Sequence, residues 1–275
     1  MNGGTYSDAA LVVLGHGTAL NAASALPVRQ HAAELRHRKL FASVHEAFWK
    51  QEPQLLTVLA ALTAPRVFIV PLFISEGYFG AEVIPQELGF AGQAVRHRPG
   101  QTWHYCQPVG THEAMTAVIL ARADEVVRTH PFPRAPRPCD LTLFIAGHGT
   151  GRNVQSRQAI ERQADLIRAQ NLYADVHDTF MEESPRIGDC YALARTKNLV
   201  VVPFFISDGL HVMEDIPVLL GEAARLVKER LAAGQPTWRN PTELRGKRVW
   251  YSPAVGTEPR LAEVILERVR EAASA

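Results

Sequence analysis

The chain carries the stretch Phe205-Ile-Ser-Asp-Gly-Leu-His-Val-Met-Glu-Asp-Ile-Pro217 and, earlier, the short loop Gly147-His-Gly-Thr150. Each follows an apolar run rich in Val, Ile, Leu and Phe, a pattern typical of a buried strand that ends where a loop leads towards a helix. Open α/β sheets bind their ligands outside the carboxyl ends of their strands. We therefore expect His148 and His211 to project into one crevice if the fold brings these two strand ends together.

Both stretches occur twice in the chain. Gly15-His-Gly-Thr18 recurs as Gly147-His-Gly-Thr150, and Pro71-Leu-Phe-Ile-Ser75 recurs as Pro203-Phe-Phe-Ile-Ser207, each at an offset of 132 residues. Later the offset grows from 132 to 146 residues, as between Gly110 and Gly256, so the second copy holds fourteen more residues. A constant offset that changes once indicates an internal duplication of one fold, with an insertion in the second copy.

A proline-rich segment separates the two copies. Residues 131–139 include four prolines, which disfavour both a helix and a central strand. We predict an N-terminal lobe over residues 1–130, a linker over 131–139 and a C-terminal lobe over 140–275.

Strand-like and helix-like segments alternate within each copy. This alternation predicts βαβ units, a mostly parallel sheet and helices on both faces of that sheet. The predicted fold class is α/β, with two tandem lobes that are related by pseudo-twofold symmetry and leave a cleft between them.

The composition is that of a soluble globular protein. The formal net charge is +1 and 47% of the residues are hydrophobic, with no basic stripe of the kind that binds nucleic acid. The apolar runs are shorter than the ~20 residues that a membrane helix needs, and the N-terminus lacks the basic start of a secretory signal. The three cysteines are widely spaced, which favours reduced thiols. We expect a cytoplasmic protein that binds neither nucleic acid nor membrane.

The two copies differ where side chains could do chemistry. His16 corresponds to His148, whereas Phe79, Lys50 and Val83 stand where the second copy has His211, Glu182 and Asp215. Two imidazoles and a carboxylate form an N/O site that suits cobalt, nickel, iron or zinc and leaves positions open for exchange. The first copy is therefore predicted to be degenerate and the second to hold the complete site.

These motifs resemble those of the class II chelatases. The matching features are Gly147-His-Gly149 after the first strand, Phe180-Met-Glu182 on the second, and Pro203 to Pro217 after the third. Over nearly its whole length the chain is similar to sirohydrochlorin cobaltochelatases of the CbiX and CbiK type, in a two-domain form, and to their ferrochelatase relatives. The resemblance implies a lyase that inserts a divalent metal into a tetrapyrrole without ATP, and no Gly-x-x-x-x-Gly-Lys-Ser/Thr motif occurs here.

The resemblance also implies roles for individual residues. His148, Glu182 and His211 would be both the catalytic residues and the metal ligands, with the histidines also accepting protons. The metal is a substrate, Co²⁺ ahead of Fe²⁺ or Ni²⁺ because relatives with this double layout serve cobalamin biosynthesis, and no cofactor is held permanently. Other groups would bind the carboxylates at the rim of sirohydrochlorin. The candidates for this substrate binding are Thr150, Arg152, Arg157, Ser207, Gly209 and His16.

Other interpretations of these residues stay open. A histidine after a buried strand is often a structural residue, Glu182 could be an acid that favours a helix start, and the arginines could lie on a solvated helix face. The protein could also bind a tetrapyrrole or a metal without turnover, as a monomer or a homodimer. A phosphohistidine phosphatase-like activity is disfavoured, because glycine precedes each histidine where such enzymes need an arginine.

Overall fold

The computed structural model describes residues 6–18, 22–149 and 154–274. The elements of the first repeat are β1 (Tyr6–Gly15), α1 (Leu26–His37), β2 (Phe41–Phe48), α2 (Leu55–Ala61), β3 (Arg66–Pro71), α3 (Ile84–Glu87), β4 (Val95–Arg98), β5 (Gln101–Tyr105) and α4 (Met115–Thr129). Those of the second are β6 (Leu141–Gly147), α5 (Val154–Arg168), β7 (Asp175–Phe180), α6 (Cys190–Leu193), β8 (Asn198–Pro203), α7 (Ile216–Leu219), α8 (Ala224–Ala232), β9 (Thr242–Leu244), β10 (Lys247–Tyr251) and α9 (Leu261–Ser274).

The strands form two five-stranded sheets with the same topology. Their orders are β2-β1-β3-β5-β4 and β7-β6-β8-β10-β9. All neighbours pair in parallel except β4 with β5 and β9 with β10, which are antiparallel. The predicted α/β class with two tandem, mostly parallel lobes is confirmed. The small antiparallel edge was not predicted, although β4 and β5 are joined by a two-residue Pro-Gly turn that is a known hairpin signal.

The central strands are buried along their length, because parallel sheets are covered on both faces. Leu141 to Gly147 of β6 are all buried, and the same holds for Ala9 to Gly15 of β1. Such runs of Val, Ile, Leu and Phe are what makes these strands recognisable in the sequence. Within the described ranges, no helix combines the length and the apolar character needed to cross a membrane.

The last helix of each repeat belongs to the compact unit of the other repeat. One unit comprises Met1–His112 with Pro259–Ala275, and the other comprises Glu113–Glu258. Helix α4 packs on β8 and β10, and α9 packs on β3 and β5. The predicted lobes of 1–130 and 140–275 therefore follow the sequence repeat, but the compact units divide the chain elsewhere.

A buried arginine ties each exchanged helix to its unit. Arg122 of α4 donates from Nε to Ala254 O at 3.1 Å and from Nη2 to Thr257 Oγ1 at 2.7 Å. Arg268 of α9, its counterpart, donates from Nη2 to Pro108 O at 2.8 Å and to Thr111 Oγ1 at 2.6 Å. Both guanidinium groups bind the Val-Gly-Thr turn that follows the last strand of the sheet, which explains why this turn is repeated in the sequence.

Candidate functional site

Three strand ends meet at one edge of the second sheet. Gly147 at the end of β6 pairs with Phe180 at the end of β7, and Ala146 pairs with Pro203 at the end of β8. His148 is the next residue after β6, Glu182 lies two residues beyond β7, and the loop to His211 begins directly after β8. Parallel strands in this register bring the backbone of all three residues to the same edge of the sheet.

The Gly-His-Gly loop is held tightly against β7. Gly149 has φ +64°, and a Cβ at this position would lie 2.6 Å from the Cβ of Phe180, so no other residue fits without rearrangement. The N–H of Met181 donates to the carbonyls of Gly147 and His148, each at 3.0 Å, and the N–H of Glu182 donates to His148 O at 3.2 Å. These bonds fix the backbone of His148 beside that of Glu182.

The two histidine side chains lie edge to face. The ring centroids of His148 and His211 are 5.0 Å apart and the rings are 81° from parallel. In the described part of the chain Nδ1 of His148 is buried without a hydrogen-bond partner. Its Nε2 is 3.9 Å from Oε1 of Glu182, an ion-pair separation that is too long for a hydrogen bond. Nε2 is therefore the His148 nitrogen that is available to a ligand.

His211 begins a π-helical turn, His211–Asp215, in which the N–H of Ile216 donates to His211 O. Single π turns inside helices are often found at functional sites. The turn places Asp215 beside the histidine, with Oδ2 at 2.6 Å from Nδ1. A carboxylate that accepts the Nδ1 proton leaves the lone pair of Nε2 free, which is how metal-binding histidines are usually oriented. The sequence comparison singled out Asp215 as a difference between the copies but assigned it no role, although its i+4 spacing from His211 was visible.

Two further contacts hold the loop that carries His211. The Tyr251 hydroxyl donates to Val212 O at 2.7 Å, and the N–H of Gly256 donates to Phe205 O at 2.9 Å. Burial raises the pKa of Tyr251 well above its ordinary value, and the carboxylate of Asp208 adds to this shift, so the hydroxyl stays protonated and can donate. A Cβ on Gly256 would lie 1.9 Å from Ile206 O, so this close approach requires glycine.

The first repeat keeps the geometry of the site but not its chemistry. The rings of His16 and Phe79 are 5.5 Å apart and 82° from parallel, nearly the arrangement of His148 and His211. Lys50 places Nζ 4.9 Å from the centroid of Phe79, a cation–π contact. A histidine, a phenyl ring and an ammonium therefore stand where the second repeat has two histidines and a carboxylate.

The other predicted residues are less clearly placed at the site. Thr150 and Arg152 lie outside the described residues. Ser207 and Gly209 lie on the loop before His211, and His16 is exposed in the other compact unit. Arg157 already has partners, since it donates to Glu161 at 2.7 Å and to Glu183 at 3.1 Å. A substrate carboxylate would have to compete with both acids, so its substrate-binding role stays a prediction.

The structure brings together two of the three predicted metal ligands. Within residues 6–18, 22–149 and 154–274, no group of three or more His, Cys, Asp or Glu side chains is arranged to hold a metal ion. The side chain of Glu182 is 60% exposed, against 31% for His148. The pair His148 and His211 is thus the candidate site for a metal ion, and Glu182 as a third ligand stays a prediction.

The chain has clear relatives. The profile of the CbiX family matches residues 10–126 and 142–272. The chain is 41% identical over 279 residues to a Halobacterium salinarum protein named probable sirohydrochlorin cobaltochelatase, and the match covers 96% of this chain and 91% of that protein.

Solved structures share the fold. DR2241 from Deinococcus radiodurans, described as a multi-domain protein with structural similarity to chelatases, matches with a TM-score of 0.77 and 28% identity. The match covers 94% of this chain and 54% of that chain, so this chain spans about half of DR2241. SirB from Bacillus subtilis with Fe³⁺ matches with a TM-score of 0.67, covering 97% of this chain and 96% of that one, and at 18% identity this likeness concerns the fold alone.

Proposed function

We propose that this chain, which belongs to the CbiX family of metal chelatases, inserts Co²⁺ into sirohydrochlorin without ATP. That it is a metal chelatase follows from its family and from the relatives that match nearly its whole length. The choice of cobalt is the proposal, and it is supported by the name of the Halobacterium salinarum relative. Fe²⁺ and Ni²⁺ are the alternative substrates, because N/O sites bind several first-row ions in nearly the same order.

The pairing of His148 with His211 is the observation that carries this proposal. An ion bound through a ring nitrogen at ~2.1 Å lies roughly 3 Å from the ring centroid. Two centroids 5.0 Å apart are therefore close enough for one ion to lie within reach of both rings. Two neutral ligands with open positions hold a divalent ion weakly enough to release it, which suits a metal that must pass on to the tetrapyrrole.

The same groups can receive protons. Insertion of a divalent ion into sirohydrochlorin expels two pyrrole protons, so bases are needed near the metal. Once the ion has left, each imidazole has a free nitrogen that can accept a proton. Glu182 is 3.9 Å from His148 and largely exposed, so it can take a proton on towards solvent. The carboxylate of Asp215, 2.6 Å from Nδ1 of His211, holds that imidazole in place.

Multiple-turnover insertion separates a chelatase from a carrier. With sirohydrochlorin and Co²⁺ in large excess over protein, we expect a steady change in the absorption spectrum that exceeds one equivalent per chain. A carrier that binds tetrapyrrole or metal without turnover would give a stoichiometric change and then stop. Parallel assays with Co²⁺, Fe²⁺ and Ni²⁺ test the choice of metal, for which we expect the highest kcat/KM with Co²⁺. A higher value with Fe²⁺ or Ni²⁺ would replace cobalt in the proposal but leave the chelatase in place.

The degenerate first repeat offers a gain-of-function test. Because His16 and Phe79 already have the required geometry, the double variant Phe79→His and Lys50→Glu should create a second histidine pair with an acid beside it. We expect titration with Co²⁺ to reach one additional equivalent per chain relative to the wild type. The control variant Phe79→Leu and Lys50→Gln removes the same cation–π contact without supplying ligands, and should bind as the wild type does. Equal stoichiometry in all three proteins would contradict the assignment of these positions.

A further inference from the structure

The loop before His211 is held to the turn after β10 by the carboxylate of Asp208. We call this contact the Asp208 tether, and the first repeat lacks it. Oδ1 of Asp208 accepts from the N–H of Ala254 at 2.7 Å, and Oδ2 accepts from the Thr257 hydroxyl at 3.2 Å. Thr257 in turn accepts from Nη2 of the buried Arg122 at 2.7 Å. A continuous path of hydrogen bonds therefore runs from the core of the unit to a residue three positions before His211.

The two other hydrogen bonds that hold this loop, from Tyr251 and from Gly256, have counterparts in the first repeat. In the first repeat the Tyr105 hydroxyl donates to Gly80 O at 2.8 Å, and the N–H of Gly110 donates to Phe73 O at 2.9 Å. These bonds match those that Tyr251 and Gly256 make in the second repeat. They are present whether or not the repeat has a histidine at the start of the π turn, so they belong to the architecture of the fold.

The bond between the Asp208 carboxylate and a backbone N–H has no equivalent in the first repeat. The residue that corresponds to Ala254 is Pro108, which has no N–H, and the residue that corresponds to Asp208 is Glu76, which is longer by one methylene. The loss of this tether thus accompanies the replacement of the second histidine by Phe79. Within one chain, the repeat that has the histidine pair has this tether, and the repeat that lacks the histidine pair lacks the tether.

The loop before His211 borders a larger open space in the second repeat than in the first. Behind the loop of the second repeat lies a cavity of about 960 Å³, whose lining includes Asp208, Val212, Trp238 and Tyr251. The corresponding cavity of the first repeat, beside Glu76, has only about 230 Å³.

We propose that Asp208 is a positioning residue for His211: by binding Ala254 and Thr257, it fixes the loop so that the imidazole stays edge-on to His148 and can share its metal ion. This role rests on the proposed function for the metal-binding step only. The position of the His211 ring can be measured without metal or tetrapyrrole.

Ala254→Pro tests the tether with little disturbance of the fold. Ala254 has φ −60° and ψ 149°, and Pro108 in the first repeat has φ −59° and ψ 145°, so the backbone already has a conformation that proline adopts. The proline ring replaces the N–H from which Asp208 accepts, so the carboxylate is displaced. Because proline removes a hydrogen-bonded N–H, we expect a small fall in melting temperature even though the backbone conformation suits proline. We expect the protein to stay folded and to bind Co²⁺ more weakly, measured by calorimetric titration of the full chain with the metal alone.

Asp208→Ala and Asp208→Asn complete the series. The alanine variant loses both acceptors, and we expect its dissociation constant for Co²⁺ to rise by about tenfold or more, the usual effect of losing a group that orients a metal ligand. The asparagine variant keeps an acceptor for Ala254 and should recover most of the affinity. Glu76→Ala, the matched change in the first repeat, should bind as the wild type does. If Asp208→Ala, Ala254→Pro and wild type bind Co²⁺ equally well, the proposal fails.

A direct measurement separates this proposal from the proposed function. In protein with labelled histidines and no metal, we expect a nuclear Overhauser effect between the rings of His148 and His211, which lie 5.0 Å apart. The effect should be lost or strongly reduced in Asp208→Ala and retained in Glu76→Ala. If His211→Ala binds Co²⁺ as tightly as the wild type, the metal site is refuted, and the ring contact still decides the role of Asp208. An undiminished ring contact in Asp208→Ala would overturn the positioning role.

Discussion

His211→Ala should lower the rate of metal insertion by about 10²–10⁴-fold, the range that loss of a positioned acid or base produces. The variant removes one of the two proposed metal ligands, a proposed proton acceptor whose Nδ1 lies 2.6 Å from Oδ2 of Asp215. The protein should stay folded, because the His211 side chain is 48% exposed and does not belong to the core. Initial rates with sirohydrochlorin and Co²⁺ measure the first effect, and thermal unfolding measures the second.

The duplicated fold supplies a matched control for this variant. Phe79 occupies the corresponding position of the first repeat and makes the corresponding ring contact with His16. Phe79→Ala should therefore leave the rate within a few-fold of the wild type, although it removes a larger apolar side chain. The double variant His148→Ala and His211→Ala should be little slower than either single variant, since groups that act as a unit are not additive. A His211→Ala enzyme with wild-type kcat and KM would contradict the assignment of this histidine.

The site could be predicted from the sequence because each of its parts follows a strand end that the hydrophobic pattern reveals. His148, Glu182 and His211 come after three parallel strands, and the carboxyl ends of such strands share one edge. Comparison of the two repeats then distinguished the residues that both copies share from those that only the second copy has, which are the candidates for chemistry. Asp215 and Asp208 were not assigned because their roles depend on the π turn and on the Val-Gly-Thr turn, whose conformations the local pattern does not specify.

The partners of Arg157 could not be predicted for a similar reason. At the aligned position the second copy has Arg157 where the first copy has Ala25, which is compatible with substrate binding. The structure gives this arginine two acidic partners, Glu161 one turn along its own helix and Glu183 after β7. Sequence spacing could have shown the first partner, but the second depends on how α5 packs against β7.

Sequence comparison could not show that the last helix of each repeat packs on the sheet of the other repeat. A repeat shows which segments correspond, but it does not show on which sheet a segment packs. Since α4 and α9 both carry apolar residues at helical spacing and an arginine at the same position, either helix satisfies the same local pattern. Only the contacts within each unit show that α9 belongs with β3 and β5.

Truncation after Glu258 should therefore unfold the N-terminal unit and spare the C-terminal one. The deletion removes α9, which buries Leu261, Val264, Ile265 and Val269 together with Arg268 in the unit that contains β1 and β3. Each large apolar side chain contributes about 1.5–3 kcal/mol when buried, so the loss is comparable to the 5–15 kcal/mol that typically stabilises a whole domain.

Hydrogen exchange with mass spectrometry locates the effect. In the truncated chain, amides of β1 and β3 should exchange rapidly, whereas those of β6 and β8 should stay protected, although the deleted residues are joined directly to the C-terminal unit. A synthetic peptide of residues 259–275 added in excess should restore protection of β1 and β3, because it can replace α9. If the chain were divided at residues 131–139, α9 would cover the C-terminal sheet, and β6 and β8 would lose protection instead. That pattern would show that each repeat keeps its own last helix.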